Sequence, residues 1–289
     1  MNSIQERTLS GSLYIVATPI GNLGDISERA IEVLKQSDLI AAEDTRHSKT
    51  LLERFGIKTK VKAYHEHNEE KFTSQLIQQI VDGESIALIS DAGTPLINDP
   101  GYKLVAAAHD NGIKVIPIPG PSAVITALSA SGLPTSKFIF EGYLPAKSEA
   151  RKKVLQQLIS ESRTLIFYEA PHRIRDSVQD MRDIFGTERR ATIARELTKQ
   201  YEQIVRDSLS EVYEKIISEE IKIKGEFVII IEGAQEISVS DAEVLRINQI
   251  LSEKLPPKDA AGLTSKITGK KKNEVYQMAL EVSENSLKS

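Results

Sequence analysis

A loop rich in turn-forming, acidic and hydroxyl residues, LISDAGTPLINDPG, occupies residues 88–101 after an apolar run. Gly93, Pro95 and Pro100 suit tight turns, yet the apolar pair Leu96–Ile97 lies between them. Polar residues alone suffice for a surface turn. The composition of this loop therefore indicates that it holds something other than solvent.

Two further loops of this kind follow apolar runs. ATPIGNLGDIS contains Pro19, Gly21 and Gly24, and PIPGPSA contains Gly120 and Ser122. A glycine backbone lets a ligand approach closely, and a serine at a helix N-terminus offers a hydroxyl and an N–H. Each loop alone is explained by turn formation and close packing. Together they predict a site that encloses a nucleoside-like ligand with few charges, at 19–24, 91–101 and 119–123.

Helix capping accounts for part of these loops. Asp25, with Glu28 three residues on, predicts a helix N-terminus, and Pro121 suits the first position of a helix. Capping does not explain Pro19 and a second glycine directly after a strand.

Several common catalytic motifs are absent from the sequence. No G-x-G-x-x-G follows the first strand, and Lys271 stands where a Walker motif after Gly269–Lys270 would need Ser or Thr. His65 and His67 are followed by Glu69 where H-E-x-x-H requires its second histidine. A solvated helix start is favoured there over a metal site. The chain also has no cysteine, which excludes disulfides and thiol chemistry.

The first half of the chain alternates short apolar runs with helical patterns. This alternation predicts βαβ units and a mainly parallel sheet with helices on both faces. Ligands of such sheets bind at the carboxyl ends of the strands, where all three loops lie. The predicted strands are 13–17, 38–42, 61–64, 85–90 and 113–118.

The second half has less helix between its strands, which predicts a mixed sheet. A polar stretch at 234–241 reads as a linker before a short helical tail. The predicted strands are 163–170, 189–198, 201–209 and 225–234, and the predicted helices lie around 150–161, 172–185 and 209–219.

Composition and charge limit the class of protein. A chain of 289 residues suggests about two domains, and 40% hydrophobic with 27% charged residues is ordinary for a globular protein. No apolar leader or membrane-spanning run is visible, so we expect a cytoplasmic protein.

The charge of the chain is unevenly placed. The whole chain carries −4, but the segment 258–276 carries +3 and leaves −7 for the remainder. Phosphate binding by the tail would explain this placement, and a solvated lysine cluster without a partner would explain it equally. More basic residues occur at 147–153.

Six segments carry a family resemblance: VATPIGNLGDIS, AEDTR, ISDAGTPLINDPG, VIPIPGPSA, FYEAPHRI and ARELTK. Together they closely resemble the bacterial ribosomal RNA small subunit methyltransferase I group of the tetrapyrrole methylase superfamily, from about residue 12 to 233. The resemblance implies two α/β domains, at 12–120 and 121–234, with a cofactor cleft between them and a helical C-terminal extension at 241–289. It implies S-adenosyl-L-methionine as the cofactor and a homodimer. The implied acceptor is the ribose 2′-hydroxyl of a cytidine in 16S ribosomal RNA of the small subunit.

The resemblance also implies cofactor contacts. Thr94 stands where superfamily relatives carry an acid, and Ile97 would pack on the cofactor as part of a buried apolar pair. Tyr168, Leu197 and Gly225 would close over the cofactor from the second domain. The full set of implied cofactor residues is Pro19, Gly93, Thr94, Ile97, Ser122, Ala123, Tyr168, Leu197 and Gly225.

The implied chemistry is a one-step displacement in which a ribose oxygen attacks the methyl carbon of a sulfonium. Positioning supplies much of the acceleration, and a carboxylate that accepts the hydroxyl proton should help. We expect Glu43, Asp44 or Glu196 to be this acceptor, and Arg46 or Lys199 to contact phosphate. For each residue singly, a surface or interdomain ion pair is the competing interpretation. Two more charged residues of the second half, Glu169 and Arg195, are expected to approach the same cleft.

Two other functions remain open from the sequence. The same fold and cofactor could serve a small-molecule acceptor such as a tetrapyrrole, against which the basic tail and the AEDTR segment argue. A non-catalytic RNA-binding assembly factor that retains the cofactor pocket is the third possibility, because no side chain is an unambiguous catalyst.

Overall fold

The computed structural model describes residues 11–235 and 240–286, with side chains to residue 281. The chain divides into two compact units, with the boundary between Ala234 and Gln235. The polar N-terminal residues 1–10 and most of the expected linker, residues 236–239, lie outside the described residues.

The first unit begins with a five-stranded sheet in the order β3-β2-β4-β1-β5, in which every pairing is parallel. The predicted parallel sheet is therefore confirmed, with each strand within two residues of its expected bounds. The strands are β1 (Ser12–Val16), β2 (Leu39–Ala42), β3 (Val61–Ala63), β4 (Ile86–Ile89) and β5 (Lys114–Ile118). The helices between them are α1 (Glu28–Gln36), α2 (Thr45–Arg54), α3 (Glu69–Val81) and α4 (Tyr102–Asp110).

Helices cover both faces of this sheet because its central strands are apolar on both sides. Alternate residues of β1 point to opposite faces. Tyr14 packs with Leu34 and Leu51 of α1 and α2. Leu13 packs with Leu76 of α3 and with α4. The sheet is thus buried on both faces, so the side chains able to contact a ligand lie at its edges.

Two capping predictions are wrong. Ser27, and not Asp25, caps α1 by accepting a hydrogen bond from the Ala30 N–H at 3.1 Å. Asp25 instead ends a short 3-10 turn, Leu23–Asp25. Pro121 precedes the next helix, which begins at Ala123.

The second sheet of the first unit has the order β6-β7-β10-β8-β9. Only β6 and β7 pair in parallel, so the predicted mixed sheet is confirmed. Its strands are β6 (Phe138–Tyr143), β7 (Thr164–Glu169), β8 (Arg190–Arg195), β9 (Gln203–Ser208) and β10 (Phe227–Ile231). The helices of this part are α5 (Ala123–Ala130), α6 (Ser148–Gln157), α7 (Ile174–Phe185) and α8 (Leu209–Ile217).

The two faces of this sheet have different partners. Helices α6, α7 and α8 pack on one face through residues such as Leu155, Val178 and Val212. On the other face, Val124 of α5 and Ile20 from the loop after β1 pack in one apolar cluster. That cluster joins the two sheets beside the loops that the sequence singled out. The division of this unit into domains at residue 120 remains a proposal.

The second unit consists of three helices, α9 (Asp241–Ser252), α10 (Pro257–Thr268) and α11 (Lys272–Ser286). Val244, Ala261 and Val275 form its small core. Gly269 has a φ of +75° and makes the tight turn between α10 and α11. In the described part of the chain, no helix combines the length and the apolar character needed to cross a membrane.

Candidate active site

Four loops meet at the carboxyl edge of the first sheet: the three that the sequence singled out and the loop after β2. Thr18, after β1, exchanges backbone hydrogen bonds with Gly93, after β4, at 2.8 and 3.0 Å. The Thr94 hydroxyl donates to the Pro121 carbonyl in the loop after β5, at 3.0 Å. The N–H of Asp44 after β2 donates to the Asp91 carboxylate at 3.0 Å. The loops thus form one rim because parallel strands end at the same edge.

The backbone conformation of the loop at 91–101 accounts for its apolar pair. Leu96 and Asn98 have φ values of +72° and +69°, a conformation that costs non-glycine residues energy and is often found at functional sites. This backbone turns Leu96 into the core against α3 and α4, whereas Ile97 is 41% exposed. Leu96 therefore anchors the loop and Ile97 faces the cavity described next, where its packing on a cofactor stays a prediction.

A first cavity of about 290 Å³ lies between the rim and the second sheet. Its volume is near the lower end of the range for small-molecule sites, about 300–1,000 Å³. Seven residues expected from the sequence line it: Glu43, Gly93, Thr94, Ile97, Ser122, Ala123 and Tyr168. Five further lining residues lie in the loops that the sequence singled out, without having been assigned a role: Ile20, Asp91, Ala92, Asn98 and Asp99. The sequence interpretation did not include Tyr143, Glu226, Phe227 and Val228.

Gly93 is required by the backbone at this rim. Its φ is +83°, and a Cβ at this position would lie 3.3 Å from Ile20 Cγ2. A residue with a side chain would be strained and crowded here, so glycine is favoured at this part of the cavity wall.

Aromatic rings form the wall that the second sheet contributes. The rings of Phe140 and Tyr168 are 4.8 Å apart, and those of Tyr143 and Tyr168 are 5.6 Å apart. Burial raises the pKa of Tyr168 to about 12. Its phenol is therefore neutral at physiological pH, and this wall is apolar with hydroxyl tips.

The opposite wall of the first cavity is acidic. Burial, followed by the nearby carboxylates of Asp99 and Asp91, raises the pKa of Glu43. Burial and the Asp91 charge likewise raise the pKa of Asp99, although a hydrogen bond with Ser90 opposes the shift. These carboxylates repel one another in a partly dehydrated space.

A second cavity of about 450 Å³ adjoins the first. The two share Ile20, Asp91, Ala92 and Glu226. Three basic side chains lie on its wall, together with hydroxyl groups of α2. The lining residues that bear on function are Pro19, Gly21, Arg46, His47, Ser48, Thr50 and Lys199.

Asp44 has a structural role at the entrance to this second cavity. It caps α2 by accepting a hydrogen bond from the Arg46 N–H at 2.8 Å, and it forms an ion pair with the Arg46 guanidinium at 3.0 Å. The hydrogen bonds from Arg46 lower the pKa of Asp44 to about 2. Asp44 lines neither cavity. Its carboxylate instead caps α2 and pairs with Arg46.

Lys199 bridges two carboxylates of the second sheet. Its Nζ donates to Glu196 Oε1 and to Glu226 Oε2, each at 2.8 Å. Burial opposes the charged amine, but these hydrogen bonds raise the pKa of Lys199 overall. Burial would likewise raise the pKa of Glu196, but the hydrogen bond from Lys199 outweighs it and the pKa is lowered. The amine is thus held as a cation at the junction of the cavities.

Two glycines provide the space for this bridge. A Cβ on Gly21 would lie 2.5 Å from Lys199 Cγ, and one on Gly225 would lie 2.2 Å from Glu196 Cδ. Gly225 and Glu196 line neither cavity. Leu197 is buried in the cluster with Ile20 and also lies outside both linings. These three expected site residues therefore lie outside the linings of both cavities, and their roles stay predictions.

The remaining expected charges are structural. Glu169 is buried, accepts hydrogen bonds from the Ser177 hydroxyl and pairs with Arg173 at 3.2 Å. Arg195 donates to the carbonyls of Lys224 and Tyr201, at 2.7 and 3.1 Å. Glu169 and Arg195 were expected to approach the cleft, but neither lines a cavity, because backbone and buried partners occupy both side chains.

Comparison with known proteins identifies the family. Residues 12–213 match the tetrapyrrole (corrin/porphyrin) methylases. The ribosomal RNA small subunit methyltransferase I of Pseudomonas aeruginosa is 52% identical over 276 residues, which cover 94% of this chain and 98% of that protein. The chain belongs to the ribosomal RNA small subunit methyltransferase I family.

The tail and the fold agree with membership of the small subunit methyltransferase I family. Residues 238–283 match the RsmI C-terminal HTH domain. Diphthine synthase has a similar fold, with a TM-score of 0.60 at 16% identity over 76% of this chain and 89% of that structure. Uroporphyrin-III C-methyl transferase from Thermus thermophilus, complexed with S-adenyl homocysteine, has a TM-score of 0.51 at 15% identity over 76% of this chain and 97% of that structure. The predicted tetrapyrrole methylase fold is confirmed.

Four acidic or aromatic cavity residues of this methyltransferase I chain were given no individual role by the sequence interpretation: Asp91, Asp99, Tyr143 and Glu226. Asp91 and Asp99 stand in the loop after β4 that had been singled out, so their position was a signal. Glu226 directly follows Gly225, but nothing in the sequence indicates that it reaches the rim of the other sheet.

Proposed function

We propose that this chain methylates the ribose 2′-hydroxyl of a cytidine in 16S ribosomal RNA of the small subunit, with S-adenosyl-L-methionine as the methyl donor. Membership of the ribosomal RNA small subunit methyltransferase I family supports the reaction and the substrate class. The structural observation that carries the proposal is the pair of adjoining cavities. One is apolar and acidic, and the other is edged with cations.

The first cavity fits the methyl donor. Tyr143, Tyr168 and Ile97 offer apolar surface for an adenosine, and Thr94 and Ser122 offer hydroxyl groups. The carboxylates suit a ligand with positive charge. When bound, S-adenosyl-L-methionine supplies a methyl group already activated on a sulfonium.

The second cavity fits an acceptor nucleotide. Arg46 and Lys199 can contact phosphate, and the hydroxyls of Ser48 and Thr50 can contact a ribose or base. The second cavity shares part of its wall with the first. A ribose held here would present its hydroxyl beside the methyl donor.

Asp91 is the residue that we assign as proton acceptor. It lines both cavities, and its carboxylate is held by the Asp44 N–H. Glu226 also lines both, but it is paired with Lys199 at 2.8 Å. Within the described residues Asp91 has no ion-pair partner. An unpaired carboxylate at the junction is the group best able to accept a hydrogen bond from an incoming hydroxyl.

The other acids expected from the sequence have different parts in this proposal. Glu43 lines the first cavity only, and Asp44 and Glu196 are paired with Arg46 and Lys199. Lys199 and Arg46 orient the acceptor through phosphate contacts. Both remain protonated, so neither serves as a base.

Replacing Arg46 by Ala is expected to weaken RNA binding about 3- to 10-fold, because one phosphate contact is lost, with little change in the single-turnover rate at saturating RNA. Filter binding and rapid-quench kinetics measure the two quantities. Arg54→Ala at the last position of α2 is the matched control and should bind RNA normally. An equal loss in rate and none in affinity would contradict a phosphate role.

The three-helix tail supplies further positive charge. Lys271 precedes α11 and Lys272 begins it, and both are exposed. Lys271 is 4.0 Å from Glu274, whereas Lys270 forms an ion pair with Asp241. A helix-turn-helix commonly presents the start of its second helix to nucleic acid. We assign Lys271 and Lys272 to RNA phosphates and Lys270 to holding the tail together.

The variant Lys271→Gln/Lys272→Gln is expected to weaken binding to the RNA substrate and to reduce the slope of log affinity against log salt by about 1–2, since up to two fewer counterions are released. Titrations at several salt concentrations measure this slope. Lys58→Gln/Lys60→Gln is the control. It removes the same charge just before β3, at the sheet edge opposite the cavities. Identical slopes for both variants would remove the tail from the RNA interface.

We also propose that the protein is a homodimer and is located in the cytoplasm. The resemblance to the family supports the dimer, and exposed apolar side chains of the first unit such as Ile125 and Ile204 are available for an interface. Small ribosomal subunits are cytoplasmic, which supports the location. Light scattering of the purified chain tests the dimer.

The decisive experiment incubates the protein with labelled S-adenosyl-L-methionine and one of three acceptors: naked 16S RNA, 30S particles or tetrapyrrole precursors. Label in a 2′-O-methylcytidine after nuclease digestion is the expected result. Label only in the tetrapyrrole, or in none of the acceptors, would overturn the proposed function.

A further inference from the structure

The charge of the first cavity is one-sided. Glu43, Asp91, Asp99 and Glu226 line it, and the described residues of its wall include no Lys, Arg or His. Lys199, the cation bound to Glu226, lines the second cavity instead. A pocket for a neutral nucleoside needs no such excess of negative charge. The excess has a cost in folding, which points to a function with a cationic ligand.

We propose that Glu43 and Asp99 make this cavity selective for the charge of its ligand, so that it binds the cationic methyl donor more tightly than the neutral product left after methyl transfer. This inference rests on the proposed function, because it takes S-adenosyl-L-methionine as the ligand. At neutral pH the sulfonium and ammonium outweigh the carboxylate of that donor by one charge. S-Adenosylhomocysteine has lost the sulfonium charge and is neutral overall.

Glu43 and Asp99 differ from the other two acids because they line the first cavity alone. Asp91 holds the loop after β2 through the Asp44 N–H, and Glu226 is largely neutralised by Lys199. Glu43 and Asp99 have no ion pair within the described residues, and both are partly buried. Hydrogen bonds from Ser90 and from the Asp91 backbone offset part of their repulsion, and a cationic ligand would offset more.

The charged groups around these two residues are acids. Glu43 is influenced by Asp99, Asp91 and Glu66, and Asp99 is influenced by Asp91. Burial together with these charges raises the pKa of both carboxyls above their ordinary values. Their ionised form is thus destabilised, and a nearby positive charge would stabilise it.

The groups on the facing wall do not cancel this charge. Tyr143 and Tyr168 of the second sheet face the acids, and both phenols are held neutral because burial raises their pKa. Arg173 acts on Tyr143 but is itself paired with Glu169. The field in the cavity is therefore negative before the ligand binds.

Selection by charge would aid turnover. As the acceptor oxygen gives up its proton and forms its bond to the methyl carbon, the carbon–sulfur bond breaks and the sulfur keeps the electron pair. The ligand loses its positive charge in that step. The attraction to Glu43 and Asp99 then ceases, and the product dissociates more readily than the donor.

The test compares the affinities of S-adenosyl-L-methionine and S-adenosylhomocysteine by titration calorimetry at pH 7.5. We expect the unmodified protein to bind the donor about tenfold more tightly or better. Asp99→Asn and Glu43→Gln should each weaken donor binding about tenfold while changing product binding by less than about threefold. Both replacements keep an oxygen that can accept the hydrogen bonds from Ser90 and the Asp91 backbone.

Asp110→Asn, at the exposed end of α4, is the matched control and should change neither affinity. Thermal unfolding of each variant checks that it is folded. Equal weakening of both ligands, or an unchanged ratio, would overturn the inference while leaving the proposed function intact. Failure of the unmodified protein to bind either ligand would overturn both.

The pH dependence gives an independent measurement. The raised pKa values mean that Glu43 and Asp99 take up protons, as the pH is lowered, in a range above that of ordinary carboxyls. Donor affinity should fall over this range, because protonation removes the attraction, while product affinity stays nearly constant. The Glu43→Gln/Asp99→Asn variant should show a flatter donor profile. Parallel profiles for the two ligands would contradict selection by charge.

Discussion

Replacing Asp91 by Asn should slow methyl transfer about 10²–10⁴-fold in a single turnover, the range typical of losing a general base. The change keeps the size of the side chain and an oxygen to accept the Asp44 N–H. It removes the unpaired carboxylate that both cavities share. Rapid-quench measurement with saturating donor and RNA isolates the chemical step from binding.

Asp44→Asn and Glu196→Gln are the comparison variants for this prediction. Their carboxylates are already paired with Arg46 and Lys199, at 3.0 and 2.8 Å. We expect each to lose less than about tenfold in the same assay. A small effect for Asp91→Asn with a large one for either comparison variant would move the proton acceptor to that residue. Small effects in all three would leave positioning alone as the source of the acceleration.

The second large effect is expected for Gly225→Ala. Gly225 has a φ of +85°, and a Cβ there would lie 2.2 Å from the Glu196 carboxyl carbon. Glu196 would be displaced and its bond to Lys199 broken. We expect a loss of about 2–4 kcal/mol in the free energy of unfolding, from crowding and backbone strain together, and more than tenfold in activity. Chemical denaturation and the single-turnover assay measure the two effects.

Two further variants separate collision from backbone strain. Gly186 has a similar φ of +95° with no atom within 4 Å of a Cβ, so Gly186→Ala should cost only about 1 kcal/mol. Adding Glu196→Ala to Gly225→Ala removes the collision and should restore part of the stability but not the activity. If Gly186→Ala and Gly225→Ala were equally destabilising, the Glu196 contact would have no energetic role.

The first sheet was largely predictable because its determinants are local. Apolar runs such as 85–90, separated by helical periodicity, specify strands and helices without reference to distant residues. Once the strands are parallel, the loops that follow them must share one edge. Gly93, Thr94 and Ser122 could therefore be placed in one site from their position after strands alone.

Other local details were not predictable, because several conformations satisfy the same residues. Asp25 and Ser27 can both cap a helix, and only the path of the chain after β1 favours Ser27. Leu96 and Ile97 are both apolar, and the positive φ of Leu96 sends them to opposite sides of the loop. Such choices depend on what packs against the loop.

The sequence by itself determined the family, the strands of the first sheet and the loops that we propose to bind the cofactor, but it did not predict β6. Its glycines, prolines and apolar runs specify the local backbone structure without reference to distant residues. Only the tertiary structure decided which carboxylates are free. Asp44 is paired with its own helix, Glu196 with Lys199, and Asp91 with neither. These partners are only two or three residues apart, but the same neighbours allow other conformations, so only the folded backbone shows which acids are paired.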